Sequence, residues 1–218
     1  MKRLLKILAL TVAVALVFCA CTKTDSTISG NGENVEDVQK TQSENVAETP
    51  DSKSGNLVKF TMEKGGSFVI ELYPQYAPET VENFKNLVET GFYDGLTFHR
   101  VVEGFMAQGG DPEGTGSGGS EEKIHGEFYA NDFKQNTLSH TRGVVSMARS
   151  QDYDSASSQF FICYDDASFL DGQYAAFGMV IEGMEVVDGF LEVERRYSGR
   201  ELSSPVEPIV IESAVIVE

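Results

Sequence analysis

The sequence predicts a mainly β domain, a closed barrel or a two-sheet sandwich with only two helices packed on it. Three observations carry that expectation. Short segments of alternating apolar and polar residues recur between turn signals from Leu57 to the end. Only two stretches show a helical apolar stripe, and nowhere do strand and helix alternate as a parallel sheet requires.

Taken in order, "LVKFTM" and "GSFVIELY" are alternating strands separated by "EKGG", a hairpin signal. In "APETVENFKNLVETGFYDG", Pro78 suits the first helical turn, Val81, Phe84, Leu87 and Val88 form one apolar stripe, and Gly91 is a C-terminal stop. Strand-like runs follow at 96–102, 105–108, 143–148, 159–163 and 175–181. A second helix is expected at 183–192, where Met184, Val187 and Leu191 share a face. "RRYSGRELSSPVEP" reads as a polar loop and "IVIESAVIV" as the last strand. There is no internal repeat.

The first 56 residues have a different character. Lys2, Arg3 and Lys6 precede an apolar run from Ile7 to Phe18, interrupted only by Thr11. That run is shorter than the ~20 residues of a membrane span and fits a secretory leader. Cys19-Ala20-Cys21 follows and resembles the lipobox of bacterial lipoproteins, with Phe18 where Leu is usual. The resemblance implies a leader over 1–20 and acylation of Cys21. Residues 21–56 are polar and acidic, and read as a disordered tether before a folded domain at 57–218. Cys163 is then the one free thiol, in the apolar run "SQFFICY", where a buried inert cysteine is expected. Of the net charge of −17, the leader contributes +3 and the tether −4, leaving −16 on 57–218. Such a domain repels phosphate backbones, so nucleic acid is excluded as a partner.

Several motifs fail on context. "GTGSGG" at 114–119 has the spacing of a dinucleotide loop, but no helical stripe follows it, so it reads as a flexible glycine loop. "DYDSAS" at 152–157 lacks the Gly and Glu that a calcium loop requires. His99, His125 and His140 have no metal-ligand spacing. Strict strand alternation puts His99 on the opposite face from its neighbour Arg100. There is no nucleophile elbow and no distinct carboxylate pair, so no cofactor, metal or hydrolytic machinery is expected.

"FHR" at 98–100, "GFMAQGG" at 104–110, "SMA" at 146–148, "SQFFI" at 158–162 and "FLDG" at 169–172 together resemble the cyclophilin family of peptidyl-prolyl isomerases. The resemblance spans nearly all of 57–218, including "APETVENF" and "FGMVIEGMEVVD". It implies a closed antiparallel eight-stranded β-barrel capped by two α-helices. It also implies a catalytic role for Arg100, a pocket wall from Phe105 and Met106, and substrate contacts from Gln108, Gln159, Phe161 and Leu170. Ala148 and Arg149 fall where the family holds the peptide backbone. Arg149 replaces a frequent Asn and adds charge at the groove. Phe169 and Tyr174 stand where many eukaryotic members have Trp and His; bacterial members commonly carry such replacements. The family's Trp lies against cyclosporin. Phenylalanine keeps the apolar face and loses the N–H donor, so weak cyclosporin binding is expected here.

The family's chemistry fits these residue types. Rotation about an Xaa-Pro bond breaks nothing and must overcome a resonance barrier of ~18–20 kcal/mol. A permanently charged guanidinium can donate to the prolyl nitrogen as it pyramidalises. The expected partners are proline-containing polypeptides and, through the lipid, the outer side of a bacterial cell membrane; a monomer is expected. Two competing readings are a proline-peptide-binding or chaperone module with little catalysis, and a lipocalin-like solute carrier. Arg100 and Gln108 argue against both.

Overall fold

The computed structural model describes residues 55–218; the leader, Cys21 and the tether up to residue 54 lie outside the described residues. The strands are β1 (Leu57–Met62), β2 (Ser67–Leu72), β3 (Thr97–Val102), β4 (Met106–Asp111), β5 (Val144–Met147), β6 (Phe160–Cys163), β7 (Ala176–Glu182), β8 (Arg195–Ser198), β9 (Glu201–Pro205) and β10 (Ile211–Val217). The helices are α1 (Pro78–Glu89) and α2 (Met184–Gly189), the second continued by a 3₁₀ turn over Phe190–Glu192. No helix among the described residues is long and apolar enough to cross a membrane.

Eight strands form one antiparallel, strongly curled sheet in the order β10-β1-β2-β7-β5-β6-β4-β3. Its edges, β3 and β10, do not share a ladder. They meet through the single bridge Thr97↔Val210 and the bonds Phe98 N–H to Ile209 O (3.0 Å) and Ile211 N–H to Leu96 O (2.8 Å). The sheet is therefore curled onto itself but stays open beyond this junction.

The interior is filled by rings. Phe60 stacks on Phe68 at 5.1 Å, and Phe84 of α1 lies 5.5 Å from Phe160 and 4.9 Å from Phe177. All five are fully buried, so the curled sheet encloses a packed core. The stripe of α1 lands as the sequence predicts, with Val81, Phe84 and Val88 buried. The buried Glu127 accepts the N–H groups of Glu79 (3.0 Å) and Thr80 (2.8 Å), satisfying the open end of the helix. Cys163 is buried, as expected, and burial pushes its thiol pKa up to about 12.

Two local readings are corrected. The segment read as a polar loop is a second, two-stranded sheet, β8–β9. Gly199, with φ 63°, occupies the first of the two turn residues, the place a II′ hairpin turn reserves for glycine. The other correction concerns β3. Phe98 pairs with Gly109 and Arg100 with Gln108, which leaves His99 as an extra, bulged residue. Phe98 and Val101 can then both point into the core, while His99 and Arg100 both border one outer pocket with Gly116 and Glu201.

Opposite, Gly110 is a bulge residue on β4, with φ 82°. A Cβ there would lie 2.5 Å from the Ser158 carbonyl and 3.1 Å from the Tyr93 ring. Gly110→Ala should therefore destabilise the domain by about 2 kcal/mol or more, combining left-handed strain with a backbone clash. Urea unfolding measures this; a loss below about 0.5 kcal/mol would show that the Ser158 segment moves aside freely.

Candidate active site

Alternation along β6 divides two environments. Phe160 and Ile162 enter the main core, whereas Phe161 and Cys163 join a smaller cluster with Met106, Ala167 and Leu170 on the outer face. Register then sets a polar row beside that cluster. Arg100 on β3 is opposite Gln108 on β4, and Gln108 is opposite Phe161 on β6. The result is a pocket of about 130 Å³ with Phe105, Met106, Phe161 and Leu170 as apolar wall and Arg100 and Gln108 along its side. Ala148, Arg149 and Tyr174 also border it.

Gln159 lies in the adjoining groove, with Ala148, Arg149 and the 116–118 loop. It is tied to the pocket through a chain of hydrogen bonds. Arg100 Nη1 donates to Gln108 Oε1 (3.2 Å), Gln108 Nε2 to Gln159 Oε1 (2.8 Å), and Gln159 Nε2 to the Gly118 carbonyl (2.7 Å). Phe169 stands apart from the pocket lining: it is 64% exposed and touches the site through the Phe105 ring at 5.7 Å. The Arg100 guanidinium itself lies 5.7 Å over Phe105.

Arg149 does not project free charge into the groove. Its guanidinium packs on the rings of Tyr174 (4.5 Å), Tyr153 (4.8 Å) and Phe128 (5.1 Å). Its nitrogens donate to the carbonyls of Gln173 and Ser150. The residue fastens the pocket rim. The "GTGSGG" loop is likewise more organised than a flexible loop. The buried Asp111 carboxylate accepts the N–H groups of Glu113, Thr115 and Gly116 at 2.6–3.0 Å. Burial alone would raise the Asp111 pKa, but the backbone N–H donors of Glu113, Gly116 and Gly118 outweigh it and hold the pKa below its usual value. Among the described residues no group of side chains could hold a metal ion. A more apolar cleft of about 270 Å³, lined by Met62, Val186, Phe190, Val193 and Ile209, brings no such set of convergent polar groups together.

The fold and this site have known counterparts. The family model for "Cyclophilin type peptidyl-prolyl cis-trans isomerase/CLD" matches residues 57–216. The chain belongs to the cyclophilin-type peptidyl-prolyl cis-trans isomerases. It is 43% identical over 158 residues to peptidyl-prolyl cis-trans isomerase A of Dickeya dadantii, covering 70% of this chain and 80% of that one. With peptidyl-prolyl cis-trans isomerase B of Bacillus subtilis it shares 45% over 126 residues, covering 58% and 84%. A Cryptosporidium parvum cyclophilin superposes with a TM-score of 0.64 at 31% identity, over 75% of this chain and 98% of its own. A structure of a C. parvum cyclophilin determined with the dipeptide Ala-Pro gives the same TM-score at 32% identity, over 74% and 99%.

Two features of this cyclophilin escaped sequence reasoning. Glu201, at the start of β9, forms a two-pronged ion pair with Arg100. The hairpin signal was present in "YSGREL", with Gly at the first turn position, but nothing local linked Glu201 to Arg100. Behind the pocket wall, His140 Nδ1 is 2.8 Å from Asp171 Oδ1 and Nε2 is 3.0 Å from Ser146 Oγ. Its ring lies 6.0 Å from Phe161, nearly parallel. Ser146 is fully buried, so no substrate reaches its hydroxyl and the trio acts as a clamp. A neutral imidazole with its proton on Nδ1 satisfies both partners.

Burial lowers the pKa of His140 from its ordinary 6.5, and Asp171 opposes only part of that shift. His99 is lowered too, first by burial, with Asp111 opposing and Arg100 adding to the shift. The unfolded chain therefore takes up these protons first. Stability is fully present above pH 6.5 and should fall as the pH drops from there toward the lower folded pKa values. Urea midpoints at pH 7.5 and 5.5 measure the decline, and His140→Gln should be less stable at pH 7.5 yet show a shallower decline. A wild-type midpoint unchanged between the two would show that these imidazoles charge without cost.

Proposed function

We propose that this isomerase accelerates rotation about Xaa-Pro bonds in exported proteins at the cell surface, with Arg100 donating to the prolyl nitrogen. The observation that carries the mechanism is the row Arg100–Gln108–Gln159 along an apolar pocket of about 130 Å³. Pockets for drug-sized ligands run to roughly 300–1,000 Å³, so this one suits a single small ring such as pyrrolidine.

In the ground state the prolyl nitrogen is conjugated with its carbonyl and is a poor acceptor. As the bond twists, the lone pair localises on nitrogen, and a fixed donor then gains strength that it lacked before. That difference between the two states lowers the barrier. Phe105, Met106, Phe161 and Leu170 hold the ring, and Gln108 steadies the neighbouring carbonyl. Ala148, Arg149 and Gln159 hold the flanking peptide, and Phe169 and Tyr174 form the rim. Ala148 N–H already bonds the Gln159 carbonyl at 2.9 Å, which fixes the strand that offers the peptide its backbone. No proton is transferred, so no titrating group is needed.

Arg100→Ala should remove roughly 2–4 kcal/mol of transition-state stabilisation, as loss of an oxyanion donor does. That is on the order of 30- to 1,000-fold in kcat/KM, read with a protease-coupled assay on an Ala-Pro peptide. A variant retaining over half the wild-type value would refute the donor mechanism.

The placement at the cell surface rests on the lipobox-like Cys19-Ala20-Cys21 and the apolar leader before it. Stable anchoring takes more than one acyl chain, and a diacylglyceryl group on Cys21 supplies two. Cys21→Ala should abolish metabolic lipid labelling and move the protein out of the membrane fraction. Lipid found on Cys19, or none on the wild type, would overturn this assignment.

A further inference from the structure

The hairpin β8–β9 places a carboxylate on the one side chain the mechanism depends on. Glu201 Oε2 accepts Arg100 Nε–H at 2.7 Å and Oε1 accepts Nη2–H at 2.8 Å. On the other side Gln108 Oε1 accepts Nη1–H. A guanidinium has five N–H groups, so these three bonds leave one on each terminal nitrogen, with Met106 Sδ 4.0 Å from Nη1. The long side of the fork is held from outside the pocket and its end is left to act.

The carboxylate is itself well placed. Glu201 follows directly from the Gly199 turn, and the hairpin is fastened to the body of the domain. Ser203 on β9 is buried, and Arg195 on β8 reaches the carbonyls of Val101 (3.4 Å) and Leu191 (3.3 Å). The hydrogen bonds from Arg100 and the hydroxyl of Ser203 hold the Glu201 pKa below its usual value against partial burial, so it is ionised at neutral pH. An exposed ion pair adds little to stability. This pair, about one-third exposed on both sides, matters for where it holds the guanidinium.

We propose that Glu201 is a positioning residue for the isomerisation: it fixes the plane and reach of Arg100 so that the free end of the fork faces the prolyl nitrogen as it pyramidalises. This rests on the donor role proposed for Arg100. An untethered arginine would sample several rotamers, and only some of them would meet a nitrogen that accepts only in the twisted state. Loss of the tether should therefore lower kcat and leave KM nearly alone.

The test is steady-state kinetics of the full chain on an Ala-Pro peptide, comparing wild type, Glu201→Gln, Arg100→Ala and the double variant. Glutamine preserves shape but can accept through one oxygen only. Glu201→Gln should lower kcat about tenfold, within the ~10²-fold that a 1 Å misplacement costs, with KM changed less than twofold. In the Arg100→Ala background the same substitution should have no further effect. The Arg100 Nε–H NMR signal should exchange with water faster in Glu201→Gln than in wild type. If Arg100→Ala is crippled while Glu201→Gln keeps wild-type kcat, or exceeds it, the positioning role is wrong and the donor role stands. If the Glu201 effect persists undiminished without Arg100, the hairpin acts only structurally and the proposal fails. If Arg100→Ala retains most activity, it is the donor role that fails.

Discussion

The site depends on a one-residue bulge in β3. Phe98 and Val101 are both buried in the main core although they are three residues apart, an odd spacing that strict alternation cannot place on one face. The extra residue, His99, absorbs the mismatch and leaves Arg100 outside, opposite Gln108. Without the bulge, burying Phe98 would draw Arg100 toward the same core, where an unpaired guanidinium is prohibitively costly. Bulges re-aim side chains beside active sites in many sheets. Here the displaced residue shares the outer pocket with Arg100, so the bulge shapes the back of the site as well as its front.

From that point the geometry follows from cross-strand register. Gln108 takes its place opposite Arg100, Phe161 opposite Gln108 and Ser146 opposite Phe161. One row on the outer face thus runs from the charged donor, through the amide, to the apolar wall and the clamp behind it. A shift of one residue in any of these pairings would send the row into the core. The rigid aromatic interior resists such a shift, because every ring of the opposite face would have to leave its contacts.

The acidic domain also shows how its few arginines are used. Arg142 is paired with Asp188 and with the Tyr164 carbonyl, Arg195 with two carbonyls, and Arg149 with two carbonyls and three rings. Arg100 joins this pattern through Glu201, but part of its fork faces the pocket. In a fixed site a donor need not reorganise when charge develops, which is where electrostatic catalysis gains over water. A neighbouring carboxylate lowers the net charge at the site, and the role proposed for Arg100 is compatible with that, because it calls for a directed N–H more than a cation.

What the sequence by itself determined was local. The period of two in "LVKFTM" and "GSFVIELY", the stripe Val81, Phe84 and Val88, and the turn residues between them specified most strands and both helices, because each signal lies within a few residues of chain. The resemblance of "FHR", "GFMAQGG" and "SQFF" indicated which side chains to bring together: of the eleven candidates within 57–218, nine line the pocket, Gln159 adjoins it and Phe169 stands apart. Tertiary structure decided the rest. The strands β8 and β9 alternate too weakly to be read despite their turn signal, and the hairpin is fastened by contacts distant in sequence, Arg195 reaching the Val101 carbonyl. His99 left its expected face because core packing outweighs strand period, and the Arg149 charge was absorbed by carbonyls and rings from three separate segments. Glu201 meets Arg100 across 101 residues of chain, and an ion pair at that separation leaves no trace in local composition, since it exists only once the sheet has curled.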